Sequence, residues 1–517
     1  LGINIPTGKD SLSMTQKYKN GDQVLAPGTV IISAAAEVTD IRKSVTPVLK
    51  PVKNSSIIFI DFSSDNCHLG GSSFSQIMNK MGLAAPTVKK PAYFVKAFEA
   101  VQKLISQDKV LAGHDISAGG MVTTLLEMTF ANKTGGLKID LSDFAEDLVC
   151  NLFTENPGVI LQVEDKKFVE DFLNKSGIRY HIIGHPVEER KLTINGRDQK
   201  VTLDIDPLRN LWFKSSYLLD RKQSGSELAL KRHENFSQQP LEFHFPESFT
   251  GKFNAFGIDP SRRTKSGIKA AIIREKGVNG DREMAWMMHL AGLDVKDVHM
   301  TDLISGREDL QDVSMIVFVG GFSNSDVLGS AKGWAGAFLY NEKAKKALDE
   351  FYARPDTLSL GVCNGCQLMV ELGLVSSGEV AKPKMHFNDS HKFESAFLNV
   401  DIPENNSVML KSLAGSRLGI WVAHGEGKFM LADDEKNYHI PMKYSYDGYP
   451  GNPNGSDYST AGICSADGRH LAVMPHLERA VHPWNWAHYP YDRRSDEVSP
   501  WIEGFVNARE WIRSKKD

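Results

Sequence analysis

The sequence predicts a protein of α/β and α+β class built from several domains. Three observations carry this: a globular composition over a long chain, strands that alternate with helices in its second half, and glycine-rich turns set between a strand and a helix. With 517 residues, 41% hydrophobic and 24% charged, the chain has room for about three domains. Its net charge of −4 and the lack of a dense Lys/Arg run give no bias toward polyanions, so nucleic acid is not an expected partner. No apolar run approaches the roughly 20 residues of a membrane helix, so no membrane partner is expected. No secretory signal is read at the start. The chain opens on Leu1 inside a motif-bearing segment, which reads as a piece of a longer polypeptide. Its cysteines (Cys67, Cys150, Cys363, Cys366 and Cys464) are too few and too scattered for a disulfide framework, which fits a reducing cytoplasm.

In chain order, residues 1–50 hold one apolar strand, 29–36, and a charged turn, and read as the tail of an incomplete domain. A strand at 55–62 opens the next unit, followed by the glycine-rich stretch 69–73 and an amphipathic helix bearing Phe74, Ile77 and Met78. A helix at 93–105 leads into the turn HDISAGG at 114–120, after which Met121, Leu125 and Met128 share one helical face. Strands at 158–163 and 181–184 complete an α+β unit over 51–220. Residues 221–266 are polar and proline-bearing and read as a surface linker. From 267 to 517, strands at 269–274, 315–319, 358–362, 420–423 and 470–474 alternate with helices. Asp281 is placed to cap the helix carrying Met284, Met287 and Met288, and Gly292 to stop it. Such alternation predicts a largely parallel sheet with helices on both faces and ligands at strand C-termini.

The most informative stretch is LSLGVCNGCQLMVELG, 358–373. A short apolar strand runs into Cys363 inside a Gly-x-Cys-x-Gly frame (Gly361, Gly365), and helical spacing follows. A strand turning sharply into a helix with flanking glycines is the sequence form of a nucleophile elbow, and free N–H groups at the helix start favour negative charge on the turning residue. The plain alternative is a buried thiol on a βα turn. Downstream, VMPHLER places His476 two residues before Glu478 at a strand end. In extended backbone these side chains point the same way, so the carboxylate can hold the imidazole in one tautomer. Upstream, SMIVFVGG ends a strand in Gly320–Gly321, whose loop can offer the N–H of Gly321 to an oxyanion beside that of Asn364. Cys363 and Cys366 also form a C-x-x-C, open to a redox or zinc reading, but a zinc site needs two more ligands and no second C-x-x-C appears.

Together GVCNGCQ, HGEGKF (424–429), YPGNPNGS (449–456) and MPHLER resemble the class I glutamine amidotransferase domain of the large single-chain phosphoribosylformylglycinamidine synthases, the formylglycinamide ribonucleotide amidotransferases. Upstream, IPTGKDSLSM (5–14) and GHDISAGGM (113–121) resemble the second synthase half of that family. The resemblance implies an AIR-synthetase-like module, its N-terminal domain represented only by 1–50 and its C-terminal domain by 51–220, then a linker at 221–266 and a flavodoxin-like, mostly parallel amidotransferase domain at 267–517. It implies an ATP-dependent ligase that amidates formylglycinamide ribonucleotide with ammonia from L-glutamine in purine biosynthesis, and a missing N-terminal part of the same polypeptide. Carried over by position, Cys363 is the nucleophile, His476 and Glu478 its partners, and Gly321 and Asn364 the oxyanion donors. Asp115 is assigned to Mg²⁺ and Ser117 to a nucleotide phosphate. The alternative is a scaffold that holds structural nucleotide beside a silent glutaminase fold.

The chain departs from the family pattern at Leu477, where proline is usual, at Asn324, Ser325 and Asp326, where Tyr-Gly-Asp is usual, and at Ala118, which replaces an acid. His424 and Glu426 form a second His/Glu pair, which the resemblance assigns to shaping the glutamine pocket. Lys9 could face phosphate or sit in a solvated turn. The 155–158 turn resembles a family turn near the synthase cleft, a plain Asn-Pro-Gly turn being nearly as good an account, and the tryptophans at 484 and 486 are read as packing residues.

Overall fold

A computed structural model describes residues 4, 8, 15–25, 31–144, 147–376 and 381–516. The chain divides into two compact units, 1–212 and 213–517. Most of the 5–14 motif, Lys9 included, lies outside the described residues.

In the first unit Ser56–Asp61 is the third of seven strands. The order across the sheet is Ala112–Asp115, Gly158–Val163, Ser56–Asp61, His181–Val187, Gly136–Asp140, Lys191–Asn195 and Lys200–Asp204. Neighbours run antiparallel except 136–140 with 191–195. The strand 56–61 is buried on both faces because alternate side chains enter different cores. Ile57 packs with Leu125 and Met128 of helix Gly120–Phe130, while Ile58 and Ile60 pack with Ala97, Val101 and Leu104 of helix Pro91–Ser106.

Two expectations change here. Residues 31–36 carry no strand, and Ile31 and Ile32 are exposed; an apolar run without a partner strand has no ladder to join. Cys67 and Cys150, 83 residues apart in sequence, form a disulfide with Cα atoms 6.1 Å apart. Their spacing gave no sign of the pairing, because the loop after one strand and a distant short helix meet only in the fold.

The second unit is built on a nine-stranded sheet: β1 Lys269–Arg274, β2 Asp294–His299, β3 Met315–Phe318, β4 Leu358–Val362, β5 Glu394–Asp401, β6 Arg417–His424, β7 His439–Tyr444, β8 Thr460–Cys464 and β9 His470–Val473. They lie in the order β2-β1-β3-β4-β9-β8-β7-β5-β6. From β2 to β9 the neighbours are parallel; from β9 to β6 they are antiparallel. The parallel half follows the expected alternation and adds the edge strand β2, which was not expected. The strand expected at 420–423 belongs instead to the antiparallel half, whose members need no crossover helix. Strands β3 and β4 are buried along their whole length, as helices on both faces require.

Helix Asp281–Leu290 begins with Asp281 as its first residue, and its N-cap is Gly280 at φ 80°. The expected aspartate cap is therefore displaced by one position, because the chain turns through a left-handed residue that glycine adopts freely. Gly292 follows the helix at φ 97°. The polar stretch after Arg221 is helical in its first part, where Ile205–Gln223 is followed by Gly225–Asn235. Arg232 ties it down through Asp220 at 2.9 Å and Glu394 at 3.1 Å. Beyond it, His244 bridges to Arg417, and Phe243 and Phe245 pack on the core. Tertiary ion pairs and aromatic packing order a segment whose composition reads as linker.

Among the described residues no helix is long and apolar enough to cross a membrane.

Candidate active site

The C-terminal ends of β3, β4 and β9 lie side by side, which is where a parallel sheet presents ligands. Cys363 leaves β4 at φ 52°, ψ −107° and precedes helix Asn364–Glu371. A non-glycine residue in that region is strained by about 1–3 kcal/mol, which the surrounding packing must sustain. The two flanking glycines make the turn possible. A Cβ on Gly365 would stand 2.0 Å from Phe318 O, and one on Gly361 would stand 2.5 Å from Gly365 O. The Cys363 N–H donates to Val473 O at 2.9 Å, and Sγ lies 3.4 Å from Ala423 O. The thiol is 5% exposed.

His476 is held by its own N–H, which donates to Trp421 O at 2.9 Å. Its Nδ1 lies 2.6 Å from Glu478 Oε1. Burial pushes the imidazole pKa down, but the Glu478 carboxylate and the Cys363 side chain together outweigh it and raise the pKa to about 9. Nε2 has no hydrogen-bond partner within the protein and faces the thiol. Gly320 is the close neighbour of both groups: a Cβ there would lie 2.8 Å from His476 Cε1 and 3.3 Å from Cys363 Cβ. Sequence reasoning named Gly321 of the pair, whereas Gly320 makes the approach; the double glycine was the signal that could have found it. Gly321, at φ 131°, forms an isolated bridge with Val278. The two bonds of that bridge use Gly320 O and the Phe322 N–H, so the N–H of Gly321 takes part in neither. The N–H of Asn364 opens a helix and has no intrahelical acceptor.

Cys366 is fully buried in that helix, and burial, with Cys363 beside it, raises its thiol pKa well above the usual value. Cys363 and Cys366 are both free. Among the described residues no three His, Cys, Asp or Glu groups are placed to hold a metal.

His424 is 2% exposed, and burial, then the neighbouring His476, lowers its pKa to about 3. It does not pair with Glu426, so the second His/Glu pair does not form. Glu426 Oε2 instead accepts from the Ser330 N–H at 3.3 Å. Ser330 Oγ also reaches Asp326 Oδ2 at 3.3 Å. The loop carrying Asp326 has three successive left-handed residues, Asn324, Ser325 and Asp326, at φ 52°, 57° and 49°. Glu426 lies in the segment that the resemblance assigns to the glutamine pocket, Asp326 was not marked as a site residue, and no local spacing joins them.

The first unit places the other assigned residues on one turn. Asp115 ends its strand with a largely exposed side chain, 3.3 Å from His114 Nδ1. His114 Nε2 lies 3.0 Å from Glu127, and Ser117 is exposed. The Glu155 carboxylate accepts from the N–H of Gly119 at 2.9 Å and of Ser73 at 2.8 Å. It therefore occupies one donor, the Gly119 N–H, at the start of helix Gly120–Phe130, and the other at the start of helix Ser73–Ile77. With one exposed carboxylate, Asp115 does not make the multi-oxygen cage that Mg²⁺ requires.

Residues 267–512 match the family described as CobB/CobQ-like glutamine amidotransferase domain, and residues 60–197 match AIR synthase related protein, C-terminal domain. Fold and site thus define a chain that joins an AIR-synthase-related domain to a glutamine amidotransferase domain. A relative from Arabidopsis thaliana named "Probable phosphoribosylformylglycinamidine synthase, chloroplastic/mitochondrial" is 39% identical over 547 residues, covering 99% of this chain and 38% of its own length. Phosphoribosylformylglycinamidine synthase of Homo sapiens is 38% identical over 548 residues, covering 99% of this chain and 40% of its own. The solved structure of PurLQS from Thermotoga maritima is 22% identical, with a TM-score of 0.37 over 48% of this chain and all of that chain. The chain belongs to the phosphoribosylformylglycinamidine synthase family and spans about two fifths of the length of the curated relatives it matches.

Proposed function

We propose that this chain carries the glutaminase centre of a glutamine-dependent, ATP-driven ligase that converts formylglycinamide ribonucleotide to the amidine. The observation that carries the reading is Cys363, strained on a glycine-pinned elbow, with the buried His476–Glu478 pair facing it. Sγ attacks the side-chain amide carbon of glutamine, and His476 takes the thiol proton and returns it to the leaving nitrogen. Glu478 keeps Nδ1 of His476 engaged, so that Nε2 does the transfer. The N–H groups of Asn364 and Gly321 are the proposed donors to the oxyanion. Ammonia leaves, and water hydrolyses the thioester to glutamate.

Synthesis of the amidine belongs to the whole enzyme, and its other substrates are formylglycinamide ribonucleotide and ATP. We assign Ser117 and Asp115 as this chain's candidate contacts to a nucleotide phosphate and its Mg²⁺. The described residues at Asp115 do not complete the oxygen shell of the metal.

Incubation with glutamine tests the reading, with ammonia and glutamate measured together. The expected result is equimolar release and stoichiometric labelling of Cys363 by a glutamine-derived electrophile such as a diazoketone. A protein that takes up the label at another residue, or none, would falsify the assignment.

A further inference from the structure

We propose that a cleft on the open edge of β5 binds a planar, amino-substituted nitrogen heterocycle of the adenine kind, held between aromatic side chains and read by hydrogen bonds to the strand. The cleft belongs to the second unit and encloses about 480 Å³, enough for such a ring. None of the elbow, the 320–326 loop or the 424–429 segment lines it. Along β5 it reaches Asn399, roughly 16 Å from the Glu394 end that pairs with His424.

The strand itself supplies polar groups. Across the β5–β6 ladder, Arg417 and Trp421 turn their main-chain groups outward, to His244 and His476. Their partners Asp401 and Phe397 therefore turn theirs to the other edge of β5, and the period of two adds Ser395 and Asn399. β7 covers only the end of that edge, by pairing with Val400 and Asp401. Just beyond β7, the Ser445 N–H donates to Asn399 O at 3.2 Å. The N–H and C=O groups of Ser395 and Phe397 face the cleft with no hydrogen-bond partner among the described residues.

A second observation points to a ligand that carries a donor. Asn399 lines the cleft and is 3% exposed; its Nδ2 donates to Pro240 O at 3.0 Å, and its Oδ1 has no hydrogen-bond partner. A buried oxygen left unmet is costly, and an occupant that donates to it removes the cost.

The walls are apolar: Phe213, Phe236, Leu241, Phe397, Tyr446 and Pro450. A flat heterocycle with an amino donor beside a ring-nitrogen acceptor answers both sets of groups. Its faces meet rings, and its edge meets a carbonyl and an N–H. A peptide strand fits less well, because the free edge ends where β7 begins and the rim opposite is tied shut. There Gln239 donates to Gly448 O and accepts from the Gly451 N–H, each at 2.9 Å, and Asn235 donates to Tyr449 O at 2.7 Å.

The test titrates the full chain by calorimetry with adenine and with purine, which lacks the amino group, in the wild type, Asn399→Ala and Ser395→Trp. Ser395 is exposed, so tryptophan there fills the cleft without removing a buried contact. Adenine should bind in the wild type, and purine on the order of 10-fold more weakly, one hydrogen bond apart. Asn399→Ala should abolish that preference and Ser395→Trp should abolish adenine binding, with labelling of Cys363 unchanged in both. Adenine that does not bind, that binds Ser395→Trp equally well, or that keeps its preference in Asn399→Ala overturns the proposal. Protection of the Ser395 and Phe397 amides from hydrogen exchange by an extended Val-Thr hexapeptide, and not by adenine, overturns it in favour of strand addition.

Discussion

His476 Nδ1 and Glu478 Oε1 stand 2.6 Å apart, and the two side chains are only 2% and 1% exposed. His476 is in extended backbone, but Glu478 lies in the 3-10 turn Leu477–Arg479 that follows, so a turn and not the expected extended run brings the two groups together. Burial works against the imidazolium and the carboxylate works for it, and the balance leaves the pKa at about 9.

The first prediction concerns pH. A folded pKa above the unfolded value of about 6.5 means that the pair's contribution to stability is complete below about pH 6.5 and is lost as pH rises through about 9. Glutaminase activity should decline over the same alkaline range, as the proton destined for the leaving nitrogen is lost. In Glu478→Gln, burial is no longer opposed by the carboxylate, so the alkaline limb should move to lower pH. The pH profile of kcat reads this directly, and a limb that stays in place would refute the pairing's role.

Two glycine substitutions should separate chemistry from folding. In Gly320→Ala the new Cβ meets side-chain atoms of His476 and Cys363, so turnover should fall on the order of 10²-fold with a small change in melting temperature. In Gly365→Ala it meets the backbone carbonyl of Phe318, which cannot swing away, and stability should fall by about 1–3 kcal/mol or more. Thermal melts beside ammonia release distinguish the two; similar melts for both variants would contradict this division.

The two cysteines of the elbow should behave unequally. Cys363→Ala should abolish glutamine hydrolysis, whereas Cys366→Ser should retain most of it. The Cys366 thiol is fully buried with a raised pKa, so serine there mainly costs packing and an unmet hydroxyl, about 1–3 kcal/mol. Comparable loss of activity in both variants, accompanied by bound zinc, would revive the C-x-x-C reading.

Arg232 should matter to stability and little to chemistry. It joins Asp220 and Glu394, which are 9% and 5% exposed. Arg232→Met leaves those carboxylates short of a cation, although Lys392 stays 3.2 Å from Asp220. The cost should be roughly 2–4 kcal/mol, discounted for the partial exposure of the guanidinium. Denaturant midpoints measure it, and adding Glu394→Met should return part of the loss.

Much of the fold was legible because it rests on local rules. Apolar runs separated by helical spacing showed four of the five parallel strands of the second unit; the charged edge strand β2 carries too few apolar residues to be read that way. The Gly-x-Cys-x-Gly frame showed the elbow, since only glycine tolerates backbone as near as Phe318 O lies to Gly365. The pairing of His476 and Glu478 was readable because the two are near neighbours in the chain, although a 3-10 turn and not extended backbone makes them meet. Where a local rule failed, the competing force was also local or was absent: the left-handed Gly280 took the cap from Asp281, and residues 31–36 found no partner strand.

The sequence by itself determined the alternation of elements, the residue at the turn and the orientation of an acid toward its neighbouring base, all of which depend on backbone geometry over a few positions. Only the tertiary structure decided which distant groups meet. It brought Cys67 to Cys150, ordered the polar 221–235 stretch on Asp220 and Glu394, extended the parallel sheet with an antiparallel half, and set Asp326 beside Glu426 through Ser330. Those contacts join residues tens to hundreds of positions apart, where no backbone period relates one to the other. Their partners are chosen by burial, charge and packing in the assembled core.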